Sequence, residues 1–274
     1  MSRILVMSSW TSAGHVGLSA AAPVLQALGH EVTQLPTIIL SNHRGLPHSA
    51  GEEVTPSRLA EMVDAIDANG LLAGHDALLT GYLPSPGHVD LARDLVHRLS
   101  RPGPRPKVVV DPILGDDPKG PYLPEEVAVA MGKWLVPLAD VLTPNCFELG
   151  WLTGQPVESL EEARAAARLL GGELRREVLV TSPPLPDGDT GVLAVGPQGE
   201  ALFRTRRLSK VPNGAGDAFS ALIAAGLTVG AALGHLRALV EASSGADHLA
   251  IVTAADHWTR ASEIASVRLP GAEE

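Results

Sequence analysis

The sequence predicts an α/β protein with a mostly parallel central sheet, and three observations carry that prediction. Short aliphatic and β-branched runs alternate with helical patterns along all 274 residues, the arrangement of repeated βαβ units. Nearly every such run opens into a polar or turn residue at its C-terminal end. Hydrophobic residues make up 45% of the chain but aromatic ones only 3%, with 28 glycines and 22 prolines. The core must therefore be assembled mainly from Ala, Leu and Val on closely packed elements joined by many turns.

Taken in order, "RILVMS" reads as the first strand; it turns polar by Ser8 and is too brief for the core of a secretory signal. "EVTQLPT" follows as the second strand. Leu59, Met62, Val63 and Ile66 then recur at helical spacing and stop at Gly70. "DALLTG" precedes a second apolar stripe, Val89, Ala92, Leu95, Val96 and Leu99. "KVVVD" and "DVLTP" are further strands. Ser159 and Glu162 form a capping box ahead of Ala163, Ala167 and Leu170, and that helix closes at Gly171 and Gly172. "EVLVTS" is the last parallel candidate, while "TGVLAVG" and "EALFRTRRL", separated by "PQG", predict a hairpin.

Phe219, Leu222 and Ile223 have helical spacing. The charge-free run Ala218 to Gly234 approaches membrane-spanning length, but it carries Gly226, Gly230 and Gly234 and is mostly alanine. A buried helix ending near Gly226 is the better reading. No repeat or long linker interrupts the chain. "RPGPRP", Arg101 to Pro106, is a loop between elements, so one domain over residues 1–274 is expected.

A formal net charge of −10 with scattered signs argues against nucleic acid, and no Lys/Arg run suggests an anionic membrane surface. The single cysteine, Cys146, excludes an internal disulfide and any CxxC metal site, which fits a reducing cytoplasm. Cys146 itself reads as a small buried residue without a visible activating partner.

The polar strand ends are Ser8 and Ser9, Asn42 and His43, Gly81 and Tyr82, Asp111, Asn145, and Thr181 with Ser182. In open α/β sheets ligands sit outside the carboxyl ends of the strands, so one sheet edge is the candidate site. "NGAGD" supplies its chemistry. Small residues let backbone approach a ligand closely, and the helix that begins there points free amides and its dipole outward, forming an anion hole suited to phosphate. Asp217, in the first turn, places a proton acceptor beside it, the geometry for deprotonating an alcohol as it attacks a γ-phosphoryl group. No GxxxxGK[ST], GxGxxG after a strand, GxSxG or HExxH is present, so other common nucleotide, hydrolase and zinc motifs are missing.

"PNGAGDAF" resembles the C-terminal signature of the ribokinase superfamily, and "TPNCFELGWLTG" its Asn-x-x-Glu element. "SSWTSAGHVGLSAAAPVLQALGHEVTQLPTIILSNHRG", "LLTGYLPS", "DPILGD" and "VPLADVLTPN" resemble the pyridoxal kinases, in order and at family spacing, over roughly the whole chain. The resemblance implies a ribokinase-like three-layer α/β/α fold with no large separate lid, and a cytoplasmic homodimer. It implies an ATP- and Mg²⁺-dependent kinase acting on the 5′-hydroxymethyl group of pyridoxal, with pyridoxine and pyridoxamine as further acceptors and a monovalent cation left open.

By the same resemblance, Asp217 is the catalytic base, and Gly214, Ala215 and Gly216 supply the anion-hole amides. Asp111 and Glu148 organise Mg²⁺, through its waters or directly, together with the nucleotide phosphates. Thr143, Asn145, Thr181, Ser182 and Asn213 fall on the nucleotide side. Ser9, His43, Arg44 and Tyr82 fall on the substrate side, with Ile38 and Leu40 as its apolar wall. His15 reads equally well as a packing histidine; His43, after the polar "SNH", is the better ligand. "GDDPKGPYLP", Gly115 to Pro124, resembles a flap over ATP. Two departures border the presumed vitamin pocket. Arg44 stands where pyridoxal kinases commonly carry a small hydroxyl residue, and Trp10, Thr11 and Ser12 replace a more usual aliphatic or aromatic stretch. The alternatives are a hydroxymethylpyrimidine kinase, which uses the same base and anion hole, and a non-catalytic member that binds vitamin or nucleotide.

Overall fold

The elements run β1 (Arg3–Thr11), α1 (Leu18–Ala27), β2 (Glu31–Leu40), β3 (Gly51–Glu53), α2 (Pro56–Ala68), β4 (Ala77–Thr80), α3 (Pro86–Leu99) and β5 (Lys107–Val110) in the first part of the chain. A short hairpin, β6 (Gly115–Asp116) and β7 (Gly120–Pro121), leads to α4 (Glu125–Ala130), a π-helical turn at Met131–Leu135 and β8 (Val141–Leu142). Then come α5 (Cys146–Thr153), α6 (Leu160–Gly171), β9 (Glu177–Thr181), β10 (Thr190–Gly196), β11 (Gly199–Thr205), α7 (Ala215–Ala224), α8 (Val229–Ala242), α9 (Ala255–Trp258) and β12 (Ser266–Val267). This is a computed structural model, and it describes residues 1–101, 103–172, 175–185, 188–267 and 269. Pro102, within the Arg101 to Pro106 loop, lies outside the described residues.

One sheet carries ten of these strands in the order β12-β11-β10-β9-β8-β5-β4-β1-β2-β3. Its centre, from β9 to β2, is parallel. Its margins, β3 on one side and β10 to β12 on the other, pair antiparallel. Alternate side chains point to opposite faces of a strand, and both faces here are apolar. In β1, Ile4 and Val6 join the layer of α1, α7, α8 and α9, whereas Leu5 and Met7 join the layer of α2 to α6. A sheet buried on both sides needs continuous aliphatic strands rather than alternating ones, and that is why, after Arg3 and Lys107 at their starts, β1 runs Ile-Leu-Val-Met and β5 runs Val-Val-Val without a polar residue.

Helix α1 has no clean signal in the sequence because Pro23 lies inside it. Proline removes the amide that would bond the carbonyl four residues back. The structure replaces that donor from outside: Nδ1 of His15 lies 2.9 Å from the Ser19 carbonyl oxygen and donates to it. His15 therefore serves the backbone of α1. The charge-free run from Ala218 divides into α7 and α8 at a turn closed by the Gly226 amide on the Ile223 carbonyl, 3.0 Å. Among the described residues no helix is long and apolar enough to cross a membrane.

Candidate active site

Three strand ends meet one helix. Val109 of β5, Val141 of β8 and Leu179 of β9 all face the α7 layer, so the residues two further along, Asp111, Thr143 and Thr181, fall on the same side. The ladder continues past the strands to hold them, with the Asp111 amide on the Thr80 carbonyl at 2.9 Å and the Thr181 amide on the Pro144 carbonyl at 2.9 Å. Ser220 of α7 receives this edge. Its hydroxyl donates to Asp111 Oδ2 at 2.8 Å and lies 2.9 Å from the Thr143 hydroxyl. All three residues are buried.

The start of α7 faces the same space. Gly214, its N-cap, has φ +95°, and a Cβ there would stand 1.9 Å from the His15 carbonyl oxygen, so no other residue fits without moving the chain. The first bond of the helix joins the Ala218 amide to the Gly214 carbonyl at 2.9 Å. The amides of Ala215 and Gly216 find no acceptor among the described residues, as helix N-termini leave theirs unpaired. Asp217 is half-buried and accepts from the Gly17 amide and its own. Burial pushes its pKa up to about 6 against the pull of those two bonds. Gly17 reaches Asp217 because it packs directly on Ser9 in a left-handed conformation, φ +57°.

The spacing Asn-x-x-Glu is a reciprocal cap on α5. The Asn145 side chain accepts from the Glu148 amide at 2.9 Å, and Glu148 Oε2 accepts from the Asn145 amide at 2.9 Å. Glu148 is 4% exposed, so it is not a solvated helix face. Its Oε1 accepts from the Leu114 amide at 3.0 Å, and the Gly115 amide adds a further bond. The Asn145 amide group donates to the Gly115 carbonyl at 2.8 Å, so the β6–β7 hairpin is rooted on this cap. Burial pushes Glu148 up to about 7 in spite of the three amides. Asp111 is held well above the usual carboxylate range by burial first, then by Glu148 and Asp217, with the Ser220 hydroxyl and the Ile113 amide opposing.

Two buried carboxylates raised in this way, at the edge of a cavity, suit a divalent cation. No three His, Cys, Asp or Glu side chains among the described residues group as a metal cage. Magnesium keeps several waters and is usually held by one or two carboxylates plus phosphates, so Asp111 and Glu148 fit it.

These groups line one cavity of about 570 Å³, together with Ser9, Ile38, Leu40, His43, Arg44, Tyr82, Asn145, Thr181 and Asn213. Asn213 Nδ2 lies 3.5 Å from His43 Nδ1, linking the loop after β2 to the approach to α7. Burial and then Lys119 lower the pKa of His43. Burial raises that of Tyr82, with Arg44 lowering and Glu53 raising it. Two named residues lie off the lining. Ala215 packs its methyl into the α1–α7 layer and offers only backbone. Ser182, at φ +51°, turns to β10, its amide on the Gly191 carbonyl at 2.9 Å and its hydroxyl taken by Thr190. Of Trp10, Thr11 and Ser12, only Thr11 reaches the cavity, and Trp10 packs against the α1 layer. The thiol of Cys146 is pushed up to about 11, first by burial and then by Asp117.

Two lining groups went unread in the sequence, Gly17 and Ser220, while Asp116, Lys119 and Tyr122 belong to the Gly115 to Pro124 segment read as a flap and were not named singly. Ser220 left a signal, as the one hydroxyl in the apolar stretch Ala218 to Ala225. Gly17 left a weaker one, a glycine just before a run of small residues.

A family described as phosphomethylpyrimidine kinase matches residues 24–247. A pyridoxal kinase of Deinococcus radiodurans is 40% identical over 228 residues, 80% of this chain and 76% of that protein. A pyridoxine/pyridoxal/pyridoxamine kinase of Bordetella avium is 39% identical over 234 residues, 84% of this chain and 78% of that protein. The solved structure of the pyridoxal kinase from Leishmania donovani in complex with ADP and pyridoxamine superposes with a TM-score of 0.89 at 26% identity, covering 96% of this chain and 98% of that one. With the fold and cavity described above, these matches place the chain in the phosphomethylpyrimidine kinase family, among its pyridoxal kinases.

Proposed function

We propose that this protein transfers the γ-phosphoryl group of ATP to the 5′-hydroxymethyl group of pyridoxal, and also of pyridoxine and pyridoxamine. One observation carries the reading: Asp217 and the unpaired amides at the start of α7 open into a cavity that also has an apolar wall at Ile38 and Leu40. A flat ring on that wall presents its alcohol to Asp217. The carboxylate takes the hydroxyl proton while the alcohol oxygen attacks phosphorus in line, and the bond from the γ-phosphorus to the bridging oxygen breaks, releasing ADP. Charge gathering on the transferred group meets the amides of Ala215 and Gly216, which need no rearrangement to receive it. Mg²⁺ bound with ATP would neutralise phosphate charge, held by Asp111 and by Glu148 through its waters.

Thr143, Asn145, Thr181 and Asn213 line the nucleotide side, and Ser9, His43 and Tyr82 orient the ring. Further parts of the reading are a single domain, supported by one sheet that reaches from β3 to β12, and a cytoplasmic setting, supported by the lone cysteine. A homodimer rests on the family resemblance. The acidic net charge supports small-molecule partners rather than nucleic acid or membrane.

Parallel assays with ATP, Mg²⁺ and either pyridoxal or hydroxymethylpyrimidine test the reading. Pyridoxal is expected to be the preferred acceptor. A strong preference for the pyrimidine overturns the assignment, and no turnover of either marks a non-catalytic member.

A further inference from the structure

We propose that Arg44 is a specificity-determining residue, which selects an acceptor ring carrying an ionised hydroxyl group and disfavours one carrying an amino group at that edge. This rests on the reading above and names the chemistry at one side of its acceptor slot. Arg44 follows β2, whose last residues Ile38 and Leu40 form the apolar wall, and it lines the cavity beside them. Its charge is felt at the Tyr82 phenol, which lines the same cavity. No ion pair or hydrogen bond occupies its guanidinium among the described residues, whereas the buried Arg164 is paired with Glu161 and Glu200. An unpaired cation is therefore presented to whatever ring enters.

A guanidinium is always charged and only donates hydrogen bonds. A 3-hydroxypyridine readily moves its hydroxyl proton to the ring nitrogen, leaving an anionic oxygen that accepts such bonds and attracts the charge. The exocyclic amine of an aminopyrimidine has its lone pair drawn into the ring and acts as a donor. Donor would then face donor, with a polar group desolvated and unpaired. Discrimination by hydrogen bonding to a substrate group is large when the site is buried. Arg44 is exposed at the rim, so solvent screening reduces the effect to about 10- to 100-fold.

The test compares kcat/KM of the full-length protein for pyridoxine and for its 3-deoxy analogue, with hydroxymethylpyrimidine as a third acceptor, in wild type, Arg44→Gln and Arg44→Lys. The wild type is expected to prefer pyridoxine over the 3-deoxy ring by about 10-fold or more. In Arg44→Gln that ratio shrinks at least about fivefold, mainly through KM, and the disadvantage of hydroxymethylpyrimidine narrows with it. Arg44→Lys keeps more of the ratio than Arg44→Gln, because the charge survives. ADP affinity and the melting temperature report folding in each variant. Equal ratios in wild type and Arg44→Gln overturn the role of Arg44 alone. A wild type that phosphorylates hydroxymethylpyrimidine and neither pyridine overturns the proposed function, and the Arg44 assignment falls with it.

Discussion

The Ser220 hydroxyl donates to Asp111 Oδ2 at 2.8 Å, and so fastens α7 to the end of β5 inside the buried core. Ser220→Ala removes that bond and leaves the Thr143 hydroxyl without its partner. Hydrogen bonds to charged groups contribute about 1.5–3 kcal/mol, so a loss of stability of that order is expected in denaturant melts. The KM for ATP at fixed Mg²⁺ should rise with it, since Asp111 loses its fixed orientation. An unchanged melt and unchanged KM would show that Asp111 is held by other means.

Asp217→Asn separates chemistry from stability. Loss of a general base lowers kcat by about 10²- to 10⁴-fold, while ADP binding, measured by calorimetry, should persist. The folded pKa of about 6 stands above the ordinary 3.8, so between those values the folded protein holds more protons than the unfolded chain. Stability contributed by this group therefore falls as pH rises from about 4 to about 6, and the cost persists at higher pH. The variant should then be more stable than wild type at pH 7, by about 1–2 kcal/mol, and not at pH 4. In the wild type, kcat/KM for the acceptor should climb through about pH 6 as Asp217 ionises.

Gly214 and Gly216 should respond differently to alanine. At Gly214 the methyl collides with the His15 carbonyl and the residue is left-handed, so Gly214→Ala should lose about 2 kcal/mol or more of stability. At Gly216 a Cβ meets nothing within 4 Å, and the glycine lines the cavity. Gly216→Ala should keep the wild-type melting temperature and lose activity, because the methyl enters the space of the transferred group. Matched melts and rates on both variants decide the point.

His15 and Pro23 should be thermodynamically coupled. Without the imidazole the Ser19 carbonyl has no donor, and His15→Ala should cost about 1 kcal/mol. In a Pro23→Ala background an amide returns to bond that carbonyl from within α1, so the same histidine substitution should cost less. A double-mutant cycle measures the difference, and additive costs would detach the two residues.

How far the site could be read from sequence depended on which residues break a pattern. Asp111 and Thr181 were legible because each ends an aliphatic run, and Thr143 through the resemblance of "TPNCFELGWLTG"; that all three face α7 follows from the sheet register, which the sequence does not show. Asp217 and Gly214 were legible because small residues at the start of an apolar helix offer free amides, and because "PNGAGDAF" resembles a known signature, since such turns are otherwise common. Gly17 was hidden because its contribution is a backbone amide, which no side chain advertises. Helix α1 was hidden because Pro23 argues against it locally and the compensation comes from His15, outside the helix. The charge-free run was divided correctly near Gly226, because the glycine marks a turn that changes direction without changing polarity. Ser182 sits at a strand end like its neighbours, but a left-handed backbone turns it to the hairpin of β10 and β11.

Glu148 closes the first turn of α5 and also grips the amides at the root of the β6–β7 hairpin. Redesign of the hairpin therefore has an unequal landscape. Its tip, between Asp116 and Gly120, can be lengthened, shortened or recoded without disturbing the clasp. Rewriting Leu114 or Gly115 would loosen a helix start at the same stroke, so those two positions bind loop engineering to the integrity of the scaffold beneath.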